Sequence, residues 1–405
     1  MSQNTPTTLA SRLKQKFNKE ISDIIPLQAD FQRRVEFRKD LESGASSEFD
    51  VQLSHEAGFS SGSGSVTLNG AVAQVSARAS VVGFSHILQT QVSYDLISRA
   101  NKDEKAFAKF ADGKFLGMVN AMRNREEWLA INGRRGCGKI VSNTSGALVI
   151  SADTFCSAFW SSQIGATFEA YDAIGGSTQH DGDLVVSAVN VSTRTVTVTG
   201  TSSSVVQDDH LFIKGQHAAG RIGLMDIAYN TGTLYGISAA TYPLWSANSY
   251  DCGTSPLTLG KIVEAAGESA NKGAAGEKMV CYVPAKAFQN LISDESALIR
   301  HSAGKKKFET GAEGICITSA VGEIEILPSL YMKDGEAVIY PPSWTYILGS
   351  QEATTSLAKD GDMIFDLEST SAKELRMFSD NTVFVERPGY VTYITRSDNE
   401  ALHSA

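Results

Sequence analysis

The apolar positions of this chain change period several times, and each change predicts a different element. Over residues 7–25, Leu9, Leu13, Phe17, Ile21 and Ile24 recur at steps of three and four. That spacing predicts an amphipathic helix, with Thr7 or Thr8 as its cap. From residue 48 the period drops to two. Phe49, Val51 and Leu53 alternate with polar residues, and the Gly/Ser run AGFSSGSGS (Ala57 to Ser65) follows. Val66 and Leu68 resume the alternation, Asn69-Gly70 breaks it, and Val75, Ala77, Ala79 and Val81 complete it. Two long strands joined by a mobile tip are expected. So few apolar side chains close no core of their own, so the extension must pack on its own body or on a neighbouring subunit.

Residues 95–132 return to helical spacing. Ala108, Ala111, Phe115, Met118, Met122 and Leu129 trace one face, and Lys102, Lys105, Lys109, Arg123 and Glu126 are assigned to solvent. Asn132-Gly133 is a stop signal. A helix of this length, at ~1.5 Å per residue, is a rod of roughly 50 Å that needs a large body or a lattice to lie along. Residues 165–215 read as small all-β structure. There Val185, Val189 and Val191 lead to a Ser192-Thr193-Arg194 turn, and Val196 and Val198 return from it in a barrel-like insert. Residues 255–330 mix both periods: a helix capped by Thr258 and carrying Leu259, Ile262, Val263 and Ala266, a buried strand over Met279–Val283, and a short helix opened by Pro284 with Phe288 and Leu291. The strings GEIEILP, EAVIYPP, WTYIL, GDMIFDL, KELRMFS, NTVFVERP and YVTYITR then read as a closing run of strands over 320–397. No internal repeat at a fixed period is present.

The length of 405 residues implies two or three domains, and 42% hydrophobic residues supply ample core. Lys+Arg is 36 against 45 Asp+Glu, a formal charge of −9, which argues against a chain basic all over that coats nucleic acid. The balance is uneven. Arg12, Lys14, Lys16 and Lys19 precede any acidic residue, the first of which is Glu20. Two readings stay open for this stretch: a solvated helix face, or an arm that contacts DNA or an acidic partner. No apolar run reaches the ~18–20 residues of a membrane span, and MSQNTPTTLASRLKQKF contains no signal-peptide core. No membrane partner is expected. The cysteines (Cys137, Cys156, Cys252, Cys281 and Cys316) are scattered and odd in number, without the spacing of a zinc site or redox pair. They are expected to be reduced and mostly buried.

Candidate chemistry is weak throughout. GRRGCGKI (Gly133 to Ile140) approaches a phosphate-binding loop, but Ile140 stands where a Mg²⁺-binding hydroxyl belongs, and a helix rather than a strand precedes it. GFSSG (Gly58 to Gly62) satisfies the nucleophile-elbow pattern inside a Gly/Ser run, where such matches arise by chance. His180, Asp181, Asp183, Asp208, Asp209 and His210 offer either a loop cation site or solvated turns. Lys305-Lys306-Lys307 is a short basic run that reads as a solvated loop or an anion contact. The expectation is no catalytic residue, no cofactor, no resident metal and no enzyme. A nucleotide-binding enzyme built on Gly133–Ile140, and a carbohydrate-binding surface protein built on 165–215, are the readings from other classes.

The order of the elements resembles the major capsid protein of tailed bacteriophages, the HK97 fold, an α+β architecture. GLMDIAYNTGTLYGISAATYPLW (Gly223 to Trp245) looks like the segment leading into that family's axial domain. LTLGKIVEAAGESANKGAAGEKMVCYVPAKAFQNL resembles its helix–strand–Pro–helix unit. GEIEILPSLYMKDGEAVIYPPSWTYILGS and ELRMFSDNTVFVERPGYVTYITR resemble its closing strands. The similarity runs over residues about 45–395.

The resemblance implies an N-arm over 1–47 and an extended hairpin loop over 48–92 that reaches a neighbour. It implies a peripheral domain with a spine helix over 93–164, an inserted β subdomain over 165–219, an axial domain over 220–335, and closing peripheral strands with a C-terminal tail over 336–405. It implies a subunit that assembles as hexamers and pentamers into an icosahedral head shell around double-stranded DNA, built in the host cytoplasm and resident in the virion. The implied partners are copies of itself, a separate scaffolding protein, a portal, a possible decoration protein, and packaged DNA met through Arg12, Lys14, Lys16 and Lys19. The same fold also serves encapsulin-like cellular compartments. Some family members join a lysine of the extended loop covalently to a neighbour's asparagine. No lysine lies here between Lys39 and Lys102, so no such crosslink is expected. The family's large N-terminal scaffolding extension has no counterpart in this sequence, which implies either a separate scaffold or a chain already mature, and Met1 favours the former expectation.

Overall fold

In one of the six-stranded sheets, one strand belongs to two cores at once. This computed structural model describes residues 29–40, 46–93, 104–200, 202–218, 220–293, 314–319, 321–350, 355–356, 364–366 and 372–397. The expected helix over 7–25, with Arg12, Lys14, Lys16 and Lys19, lies outside these residues, as does Lys305-Lys306-Lys307.

The two-sided strand is Met279–Pro284, buried at every position. Met279, Cys281 and Val283 point to a core shared with Leu259, Ile262, Ala266, Phe288 and Leu291. Val280 and Tyr282 point to the opposite face and the main core. A strand covered on both faces needs apolar residues at both parities, which is why MVCYVP does not alternate. The helices Leu259–Asn271 and Ala285–Ser293 supply the first cover, and Thr258 caps the former by accepting the Lys261 N–H. The sheet order is Asn248–Asp251, Thr392–Thr395, Ala337–Tyr340, Met279–Pro284, Gly322–Ser329, Ile315–Ser319. Ala337–Tyr340 and Thr392–Thr395, which fall within the expected closing segment 336–405, therefore pair into the sheet of Met279–Pro284.

A second sheet is built on Ala372–Val385. KELRMFS and NTVFVERP, expected as two strands, are one. Asn381 opposes Phe84 on one side and Gly349 on the other, so pairing runs straight through Asp380-Asn381. Phe84–Ser93 lies along this strand, Thr345–Gly349 on its other side, and Glu36–Arg38 adds in parallel beyond that.

The long helix spans Glu104–Asn132, 29 residues, or about 43 Å at ~1.5 Å per residue. Met118, Met122 and Leu129 are buried as the spacing predicts. Glu126, assigned to solvent from sequence, is 2% exposed. The correction has a physical cause: every residue from Glu126 to Asn132 is buried, so this end of the helix is enclosed all round rather than on one stripe.

Past the helix, six strands close into a barrel: Gly138–Thr144, Ala147–Ile150, Thr167–Tyr171, Gln179–Asn190, Thr195–Thr199 and His210–Ile213. Two of these strands lie upstream of residue 165, where the insert was expected to start. Ile140, Leu148, Ile150, Phe168, Leu184, Val186, Val196 and Leu211 fill it. The expected hairpin pairs Val185–Asn190 with Thr195–Thr199, and Asn190 Oδ1 caps its turn by accepting the Ser192 and Thr193 N–H groups.

Candidate functional site

The strings that resemble catalytic motifs are consumed by structure. In GRRGCGKI the helix ends at Asn132, and Gly138 opens a strand, not a second helix. Its backbone donors face protein. Arg134 N–H donates to Asp226 (2.8 Å), Cys137 N–H to Leu211 O (2.6 Å), Lys139 N–H to Thr154 Oγ1 (2.9 Å) and Ile140 N–H to Asp209 O (2.8 Å). A phosphate loop needs those amides free to cradle an anion. GFSSG is an internal clasp: Ser60 Oγ accepts the Asn69 N–H, and Asn69 Nδ2 donates to Phe59 O, both at 2.7 Å.

The acidic and histidine cluster divides. His180 Nδ1 meets Asp209 Oδ2 at 2.7 Å, and Asp209 also accepts the Val206 N–H. Asp208 pairs with Lys139 and Asp183 with Lys214. Burial, with Lys333, Lys139 and Arg135 nearby, pushes His210 down to about 4. A shallow depression bounded by Glu169, His180, Asp181, Asp183 and Lys214 remains. Among the described residues no group of three or more His, Cys, Asp or Glu is arranged to hold a metal. Cys137, Cys156, Cys252 and Cys281 are buried free thiols, and Cys316 is exposed. Burial pushes the Cys137 and Cys156 thiols up to about 12, far from reactivity.

What the molecule does present is an extension and the anchors that hold it. Ser47–Ser54 pairs with Val75–Val81 in a two-stranded hairpin, as the alternation predicts. Its root is packed, with Ala79 and Val81 fully buried. Its tip is not: Phe59 is 83% and Leu68 84% exposed, and Val66 and Val72 are also exposed. These large apolar side chains on an internally clasped loop belong to the surface and not to a core.

A second anchor was not legible in the sequence. Phe31 is fully buried beside Tyr282 and Tyr340, at 6.3 and 5.5 Å between ring centroids. Both oxygens of the Glu127 carboxylate accept from this segment, Phe31 N–H at 2.7 Å and Gln32 N–H at 3.2 Å. Arg34 makes a two-pronged bond to Glu325, and Arg38 stacks over Tyr346 at 3.5 Å. Residues 30–38 thus strap the long helix and both sheets together. Burial pushes the Glu127 carboxyl up to about 7. Next to it, Arg221 pairs with Glu126 and also donates to the Glu126 carbonyl. The available signal was the run Glu126-Glu127-Trp128-Leu129-Ala130-Ile131, two acids leading into four apolar residues without a polar stripe.

No protein-family model and no curated relative matches the sequence. Solved structures do. The chain is similar to the cyanophage A-1(L) capsid subunit with a TM-score of 0.59 at 10% identity, covering 98% of this chain and all of that one. It is similar to the capsid subunit of an empty GTA particle with a TM-score of 0.53 at 8% identity, again over 98% of this chain and all of that one. The chain has the HK97-like capsid fold. The hairpin of Ser47–Ser54 with Val75–Val81 and the helix Glu104–Asn132 are both elements of this chain's fold. At such low identity the shared property is the fold, which is carried by element order and not by any shared site residue.

Proposed function

We propose that the chain is the structural subunit of an icosahedral phage head, assembling as hexamers and pentamers into a shell that encloses packaged double-stranded DNA. The observation that carries this reading is the extended loop: a paired root fixed in the body and an exposed apolar tip at Phe59 and Leu68, within a chain similar over nearly its whole length to capsid subunits. A shell protein needs self-complementary surface rather than a catalytic pocket, so the role is structural and not enzymatic. The encapsulin-like compartment is the less favoured reading, because the similar structures above are capsid subunits of a phage and of a GTA particle.

On this reading residues 1–47 are the N-arm, 48–92 the extended loop, 220–335 the axial domain and 336–405 the closing segment, while the insert is the whole barrel from Gly138 and so begins inside the segment 93–164 rather than at 165. Arg12, Lys14, Lys16 and Lys19 face packaged DNA or a separate scaffold protein. A portal and a decoration protein complete the head, which is assembled in the host cytoplasm. The deciding experiment is negative-stain imaging of the expressed chain, with and without the products of its neighbouring reading frames. Icosahedral particles or hexameric capsomers are expected; a stable monomer under both conditions would overturn the reading.

A further inference from the structure

A two-residue turn beneath the extended loop has a side chain that its backbone does not favour. Tyr235 and Gly236 join Thr233–Leu234 to Ile237–Ser238, with φ of +52° and +87°. Positive φ at both central residues is the tight hairpin turn that Asn-Gly or Gly-Gly forms readily. A bulky aromatic in the left-handed region is an outlier, and such conformations persist only where the surroundings enforce them.

The surroundings here are the two strands of the loop's root and the sheet beneath. The Tyr235 carbonyl accepts the Ser80 N–H at 2.9 Å. Its hydroxyl donates to the Val383 carbonyl, and its ring meets Phe384 edge-on at 5.3 Å. Phe384 in turn stacks on Phe49 at 4.5 Å and 18°. Ser80 lies on the returning strand. Phe49 lies on the outgoing strand, directly opposite Ala79. One residue therefore grips both strands, one directly and one through Phe384. The turn is itself fixed from behind, because buried Trp245 donates its indole N–H to Leu234 O at 3.1 Å.

We propose that Tyr235 is a positioning residue that sets the direction in which the extended loop leaves the body, and through it the angle at which neighbouring subunits engage. The proposal rests on the shell-subunit reading. An Asn-Gly turn would form the hairpin with less strain, but only a side chain of tyrosine's reach ties the turn to Val383 and Phe384. The leverage is large. The strand Ser47–Ser54, 8 residues long, makes at ~3.3 Å per residue an arm of roughly 26 Å, so tilting the root by ~10° moves its far end by roughly 5 Å.

The test uses the full chain with Tyr235→Asn and Tyr235→Phe, each measured twice. Hydrogen exchange of the peptide spanning residues 76–81 is followed in unassembled subunits, and particle diameter is measured by imaging after co-expression with the neighbouring reading frames. Tyr235→Asn should speed exchange at Ser80 by at least about tenfold while the strand Met279–Pro284 is unaffected, and should give open or size-heterogeneous particles. Tyr235→Phe, which loses only the hydroxyl, should fall between the variant and the wild type. Should Tyr235→Asn fail to fold, Tyr235→Phe decides alone. Unchanged exchange at 76–81 would overturn the proposal, and so would faster exchange with closed shells of wild-type diameter. If the wild type itself forms no particles, the shell reading fails, while the exchange measurement still decides whether Tyr235 holds the root.

Discussion

Arg221 and Glu126 form an ion pair almost wholly out of water, their side chains retaining 1% and 3% of their exposure. The pair joins the long helix to the segment that leads into the short helix Leu224–Ala228. Removing one partner leaves the other charge buried and uncompensated. Arg221→Ala should therefore cost about 3–5 kcal/mol, and replacing both partners with Met and Leu should recover most of it. Chemical denaturation of the unassembled subunit measures both, and equal losses in the single and double variants would contradict the argument.

Glu127 makes a pH-dependent contribution whose sign follows from burial. Burial raises its carboxyl from 4.5 to about 7, with Asp30 adding to the rise, while the Phe31 and Gln32 amides and Arg221 oppose it. The folded protein thus binds this proton more tightly than the unfolded chain does. The stability it contributes is fully present below pH about 4.5 and is lost as pH rises through about 7. Glu127→Gln should remove that slope. Thermal unfolding of both proteins across this window should show the wild type losing ground to the variant as pH rises, and a constant difference would refute it.

Two glycines with positive φ should respond differently to alanine. At Gly215 (φ +78°) nothing lies near an added methyl, and the change should cost about 1–2 kcal/mol, the left-handed penalty alone. At Gly133 (φ +54°) the methyl would overlap Asp226 Oδ2 and the Gly223 N. The Gly223 N–H donates a hydrogen bond to that Asp226 oxygen, which also accepts the Arg134 N–H, so Gly133→Ala should cost clearly more. Denaturation midpoints of the two variants decide it; equal shifts would count against the crowding.

Phe59→Ser combined with Leu68→Ser should leave subunit stability within about 0.5 kcal/mol, because exposed side chains contribute little to the fold. The same change should weaken assembly, read as a shift from particles to free subunits in sedimentation. Undiminished assembly would remove the tip from the contact surface.

Much of the fold was legible where one period ruled a segment. Phe49, Val51 and Leu53 alternate on the paired root, Thr258 caps its helix, and Asn132-Gly133 ends the long one. What escaped reading depended on contacts between segments distant in sequence. Glu126 looks like solvent surface until Arg221, 95 residues away, is folded against it. Phe31, Val35 and Phe37 are interleaved with charged residues, and only the pocket beside Tyr282 and Tyr340 makes Phe31 an anchor. The barrel's first two strands were obscured because GRRGCGKI draws attention as a possible loop, whereas its amides are committed to partners such as Leu211 and Asp209.

The closed barrel has a consequence for crowding. Copies held side by side keep one another's surfaces at very high local concentration, where any open sheet edge is a template for unwanted strand exchange. Gly138–Thr144 is hydrogen-bonded on both sides, to Ala147–Ile150 and to His210–Ile213, so the ring presents no such template. Its turns, such as Ser192–Arg194, are left as the places where sequence can vary without inviting neighbours to zip together.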